Sequence, residues 1–171
     1  MTAAVLIGVA IFIPMLVEAA RAGRNERAQQ RRGGVEPPGD VYRIMRVAYP
    51  AAFLAMIAEG ALRGWPTPET MAVGAGVFVA AKLLKWWAIL ALGPSWTFRV
   101  VVVPGMRLVT SGPYRFMRHP NYVAVACEFL GVAMMTGAVV AGPVSVLVFG
   151  VLMRRRVAVE RRALDVILRR N

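Results

Sequence analysis

The chain has one cysteine, one histidine and only nine acidic residues against 21 lysines and arginines. A lone Cys127 cannot pair within the chain, which excludes a disulfide-stapled scaffold. A lone His119 excludes the histidine-rich spacings of a multi-ligand metal centre. Charge as a whole is scarce, at 18% of residues, where a soluble domain carries about 25%. Apolar side chains make up 58% of the 171 residues and mean hydropathy is +0.57. The charges that exist are sorted into blocks between long uncharged runs, which is the composition of an integral membrane protein rather than a soluble one.

The net charge of +12 has two competing explanations, a nucleic-acid surface and the cytoplasmic arginine excess of membrane proteins. Its distribution decides between them. Apolar runs extend from Thr2 to Ala20, Ile44 to Leu62, Thr70 to about Leu92, and Tyr122 to Met153. A crossing takes about 20 residues, so the last run reads as a helical hairpin turning near Thr136-Gly137 or at Gly142-Pro143. The expected fold is therefore all-α, with five transmembrane helices and an amphipathic C-terminal segment. With the N-terminus outside and the C-terminus cytoplasmic, segments 21–46, 93–121 and 154–171 lie inside and hold every arginine except Arg63. This alternation satisfies the positive-inside rule. It implies anionic membrane lipids as partners and no nucleic acid. No basic stretch precedes the first run and no convincing small-residue cleavage site follows it, so it is expected to stay in the mature protein.

Between the first two runs, Ala22 to Asp40 is polar and arginine-rich and contains Gly33-Gly34 and Pro37-Pro38. It reads as a connector, a loop or surface-lying helix ended by a turn. Lys82, Lys85, Trp86 and Trp87 suit a membrane interface, with lysines snorkelling and indoles at headgroup level. Gly93-Pro94 should stop the third helix. Phe98 to Val103 is β-branched, and Arg107 to Thr110 is positioned to return as a second strand around Pro104-Gly105-Met106. Glu128 lies about two turns inside the fourth helix, where an ionisable group is costly and a functional candidate by default. It reads either as a base for a hydroxyl acceptor or as an interior partner of Lys82 or Lys85. Glu18 and Glu59 read as structural and Cys127 as a small packing residue.

The most specific stretch is Leu108-Val109-Thr110-Ser111-Gly112-Pro113-Tyr114-Arg115-Phe116-Met117-Arg118-His119-Pro120-Asn121-Tyr122. It resembles the signature of the isoprenylcysteine carboxyl methyltransferase family and its phospholipid methyltransferase relatives. Arg156 followed four residues later by Glu160, just after the last apolar run, resembles the family's second block. Leu84 to Gly93, with Trp96-Thr97 beyond, is also similar. The resemblance covers residues 82–171 of what reads as one domain, with 1–81 as variable N-terminal helices. Two departures stand out. Arg161 occupies a position where the family often has a second acidic residue, and Lys85 one where it often has Arg.

The resemblance implies a methyltransferase that takes S-adenosyl-L-methionine from the cytosol and a lipophilic small-molecule acceptor from the bilayer. Carried onto matching positions, Leu108, Val109, Tyr114, His119, Pro120, Asn121, Tyr122 and Glu160 would form the cofactor pocket. Arg156 would face the acceptor or the reacting centre; Glu128 is the second catalytic candidate, on the separate ground of its depth in the fourth helix. These residue types suit the chemistry: aromatic rings for adenine, a carboxylate for ribose hydroxyls, and cationic or ring N–H donors for the methionine carboxylate. Transfer from a sulfonium needs positioning more than covalent help. The same residues also fit a simpler reading, with Tyr114 and Tyr122 as interfacial anchors, Arg118 as a headgroup contact and Glu160 as an exposed tail charge. Arg115 to Glu128, with Trp96 to Arg99, is most similar to bacterial members that look like O-methyltransferases of long-chain alkylpyrones or alkylresorcinols. A hydroxyl of such a compound is thus the expected acceptor. The alternatives are a prenylcysteine-type carboxylate, a phospholipid amine, a membrane reductase using a nicotinamide cofactor, and a non-enzymatic membrane subunit.

Overall fold

The computed structural model describes residues 2–105 and 109–168, with side chains through residue 162. Five long helices follow one another: α1 (Thr2–Arg31), α2 (Tyr42–Arg63), α3 (Pro68–Leu92), α4 (Pro120–Thr136) and α5 (Ala141–Leu168). Short 3-10 turns occupy Gly93–Ser95 and Gly112–Arg115. Among the described residues there is no strand, so the all-α expectation holds. α1, α2 and the stretch Pro68–Ser95 are each long and apolar enough to cross a membrane. Val5, Leu6, Val9, Ile13 and Leu16 of α1 face outward, as lipid-covered positions do.

Local chemistry fixes the helix ends. The Thr67 hydroxyl accepts the Thr70 N–H at 3.4 Å and Pro68 opens the first turn of α3, a standard start signal. α3 stops at Gly93, as expected from Gly93-Pro94. The hairpin turns at the first of its two candidate sites: Gly137, at φ 68°, caps α4, and Gly142-Pro143 lie inside the first turn of α5. The Glu59 carboxylate accepts the Val140 and Ala141 N–H groups at 3.1 and 2.7 Å. A carboxylate there satisfies otherwise unpaired donors and complements the helix dipole of α5.

Two expectations are corrected. α1 does not end at the membrane boundary near Ala20 but continues to Arg31, because residues 21–31 are rich in good helix formers and no turn signal intervenes before Gly33, at φ +80°. The β-branched run 98–103 finds a partner outside the expected hairpin, whose residues 106–108 lie outside the described residues. Val102 instead exchanges both backbone hydrogen bonds with Val35, at 2.9 and 3.0 Å. The extended conformation was written into the β-branched residues, and the partner came from the α1–α2 connector.

α3 and α4 make the closest helix pair. A Cβ built on Gly74 would stand 2.7 Å from the Gly131 carbonyl oxygen, and one on Gly131 2.7 Å from the Phe78 nitrogen. Small residues admit backbone contact of this kind between membrane helices. Around it, Phe53, Phe129, Met56 and Val132 form a fully buried core, with Tyr49, Phe129 and Phe149 meeting ring to ring.

Candidate active site at the arginine-rich end

The bundle has two unlike ends. At one, Gly60, Gly64 and Pro66 approach Thr136 and Gly137. At the other, the three arginine-rich segments, far apart in sequence, converge. Asn25 donates to the Gly93 and Trp96 carbonyls at 3.0 and 2.8 Å, and Gln29 to that of Pro94 at 2.9 Å. Arg156, on α5, donates to the Phe98 carbonyl and stands 3.8 Å from Asp40.

The motif residues cluster here. Gly112, at φ +61°, lets the Gly112–Arg115 turn press onto the end of α3, where a Cβ would lie 2.8 Å from Ala91 Cβ. Pro113 is fully buried beneath it. His119 caps the start of α4, its carbonyl accepting the Tyr122 N–H at 3.1 Å, and Pro120 is buried in the first turn. The His119 and Tyr122 rings stack with centroids 5.1 Å apart and planes 11° from parallel. Arg156 and Glu160 both lie close enough to the Tyr122 phenol to act on it electrostatically. Burial, then the charge of Glu160 and the neighbouring Tyr122, push the Tyr114 phenol above its ordinary pKa, so it stays a neutral hydroxyl. Thus Tyr114, His119, Pro120, Tyr122, Arg156 and Glu160 share one neighbourhood. Asn121 is in the same turn, its Oδ1 buried without a protein partner. Val109 is half-buried on the approach to it. Leu108 lies outside the described residues. An open groove of about 530 Å³ borders Tyr122, between α4 and the Met153, Arg154, Val157, Ala158 and Arg161 face of α5.

Glu128 stands deeper and in different company. It is fully buried, 2.9 Å from Lys82 and 3.3 Å from Lys85, and accepts a hydrogen bond from Tyr49. The same lysines reach Glu18 of α1 at 3.0 and 2.7 Å. Two carboxylates and two ammoniums from three helices therefore form a neutral quartet, with Tyr49 of α2 as a further member. Its alignment is uneven: Glu18 Oε2 and Glu128 Oε1 are in ionic contact but lack well-directed hydrogen bonds. Lys82 and Lys85 do not snorkel to the surface, because two interior carboxylates offer a better partner than the interface. The sequence had marked Lys82 and Lys85 as possible partners of Glu128. It gave no sign that Tyr49 joins them, or that Glu18 does so across a separation of 64 residues.

Among the described residues, an all-helical bundle with three helices long and apolar enough to span a membrane is the architecture of an integral membrane protein, with the aromatic, arginine-bearing and acidic cluster at its arginine-rich end as the candidate site. Residues 73–166 match the isoprenylcysteine carboxyl methyltransferase (ICMT) family, and the chain belongs to that family. It is 32% identical to the uncharacterized protein YpbQ of Bacillus subtilis, over 91% of this chain and 92% of that one. It is 21% identical to an uncharacterized protein of Haemophilus influenzae, over 83% of each. No solved structure matches the chain.

Proposed function

We propose that the protein transfers a methyl group from S-adenosyl-L-methionine to a lipophilic acceptor at the arginine-rich face of the membrane. The observation that carries this reading is the convergence of Tyr114, the His119–Tyr122 turn, Arg156 and Glu160 within the stretch that matches the family. The residues fit the cofactor. Asn121 Oδ1 is a buried acceptor awaiting a donor, such as an adenine amino group or an ammonium. Tyr114 remains a donor, Glu160 is an acceptor for ribose hydroxyls, and the stacked His119 and Tyr122 rings offer a face to a cation.

When bound, the cofactor supplies an electrophilic methyl carbon on a sulfonium: the acceptor oxygen forms the new C–O bond, the S–C bond breaks, and a neutral thioether leaves. The chain's part is to hold donor and acceptor in line and keep water out. A hydroxyl acceptor must also lose a proton. Glu128, the expected base for an alkylpyrone or alkylresorcinol hydroxyl, is enclosed by Lys82, Lys85 and Tyr49. A lipophilic carboxylate needs no base and is attracted by guanidinium groups such as Arg156. The geometry thus favours a prenylcysteine-type carboxylate over the alkylresorcinol hydroxyl.

The site faces the cytosol in this reading, with the N-terminus outside and all five helices crossing. The test uses purified protein in lipid nanodiscs with methyl-labelled S-adenosylmethionine and three acceptors: a farnesylated cysteine, an alkylresorcinol and phosphatidylethanolamine. Label is expected on the farnesylcysteine carboxylate. Label on the resorcinol alone would overturn the acceptor assignment. Absence of S-adenosylmethionine binding, unchanged by His119→Ala or Glu160→Ala, would remove the methyltransferase reading itself.

A further inference from the structure

The last turns of α1 and the connector that follows lie outside residues 73–166, yet their side chains make most of the polar contacts to the segment that leads from α3 toward the site. Glu26 Oε1 accepts the Phe98 and Arg99 N–H groups at 3.1 and 3.2 Å. Asp40 Oδ2 accepts the Val100 N–H at 2.9 Å, while its Oδ1 accepts the Tyr42 N–H at 3.0 Å. Successive N–H groups of an extended segment are thus satisfied by carboxylates of α1 and of the connector. Asp40 does one thing more. Its Oδ1 faces Arg156 at 3.8 Å, with side chains 14% and 12% exposed, and Arg156 in turn holds the Phe98 carbonyl and stands near the Tyr122 phenol.

We propose that Asp40 is a positioning residue for Arg156, so that the α1–α2 connector is a working part of the site and not a spacer. The inference rests on the methyl-transfer reading for its kinetic consequence, and on geometry alone for the coupling itself. A guanidinium has five donors in a rigid fork, and its direction is set by the acceptors around it. Phe98 supplies a neutral acceptor; Asp40 is the anion. Because Asp40 also pins Val100 and the start of α2, it ties the orientation of Arg156 to the same backbone whose Phe98 carbonyl Arg156 holds. Asp40→Asn removes the charge and keeps one oxygen, which can stay on the Val100 N–H and hold the segment. The position that accepts from Tyr42 and faces Arg156 becomes an NH2 group, which releases the guanidinium and gives up the Tyr42 contact.

The experiment compares Asp40→Asn, Asp40→Glu and Arg156→Gln, singly and with Asp40→Asn/Arg156→Gln, in the full chain in nanodiscs. With farnesylated cysteine as acceptor, Asp40→Asn is expected to lower kcat/KM for the acceptor by at least about ten-fold while the melting temperature falls only by the loss of the Tyr42 contact. Asp40→Glu should recover much of the loss. Glu59→Gln, at the opposite end, should lower the melting temperature and leave kcat/KM unchanged. An Asp40→Asn protein within about two-fold of wild type in kcat/KM would overturn the kinetic claim. If wild type transfers no methyl group, the activity reading has failed, and the coupling is still decided by the melting temperatures of the cycle. Non-additive shifts support it; strictly additive ones overturn it.

Discussion

Glu18, Lys82, Lys85 and Glu128 set the main energetic problem at the level of single residues. Each ion is costly in hydrocarbon, and the quartet answers that cost by pairing every charge with two of opposite sign. Removing one charge leaves the others unbalanced, at a cost of about 3–5 kcal/mol for a buried pair. Glu18→Gln should therefore lower the melting temperature sharply. Glu18→Gln with Lys82→Met restores neutrality and should melt above the single variant. A double variant that melts lower still would show that the four groups act independently. Glu18 was legible in the sequence as a structural acid near a span end, and Lys82 and Lys85 both as interface lysines and as interior partners of Glu128, the second of which the structure bears out. The closing of the quartet by Glu18 was not, because a helix read alone does not reveal which neighbour it will face. His119, Tyr122 and Glu160 were legible for the opposite reason. They sit in short blocks whose order along the chain survives without knowledge of the packing.

At the scale of elements, turn and cap chemistry was the most readable feature. Gly93-Pro94 ends α3 and Gly137 ends α4 where the residue types require. Strand pairing was not readable, since the run 98–103 states its extended conformation and not its partner. The partner, Val35, becomes available only because α1 runs on to Arg31 and carries the connector back over the arginine-rich face. The α3–α4 contact lies between these cases: Gly74 and Gly131 are visible as small residues in apolar helices, but their juxtaposition depends on register. With no room for a Cβ at Gly131, Gly131→Val should push α4 away from α3. A destabilisation of about 1–3 kcal/mol is expected from overpacking. Val123→Ala, at an exposed position of the same helix, should change little. Equal melting temperatures for the two variants would contradict backbone contact as the basis of the pairing.

For the whole molecule, the net charge of +12 resolves into a polarity of the bundle. The arginine-rich segments meet at one end through Asn25, Gln29, Asp40 and Arg156, while Arg63 sits at the other beside Glu59. α4 and α5 run between the same two ends as α2 and α3, although α4 has only 17 residues, about 25 Å at 1.5 Å per residue. Such a helix fits a hydrocarbon core of about 30 Å only with local thinning or with its ends near the headgroups. The interfacial turn at Gly112–Arg115 places the start of α4 in that setting. The arginine asymmetry predicts an orientation, and a direct measurement tests it. In a Cys127→Ser background, single cysteines at Arg32 and Arg63, both exposed, report the two ends. A membrane-impermeant thiol reagent applied to intact cells should label the Arg63→Cys protein, and should label Arg32→Cys only after the membrane is opened. The reverse pattern would place the aromatic and acidic cluster outside the cell, away from a cytosolic supply of S-adenosylmethionine. Labelling of both positions in intact cells would mean that the chain adopts both orientations, and that the arginine asymmetry is too weak to choose between them.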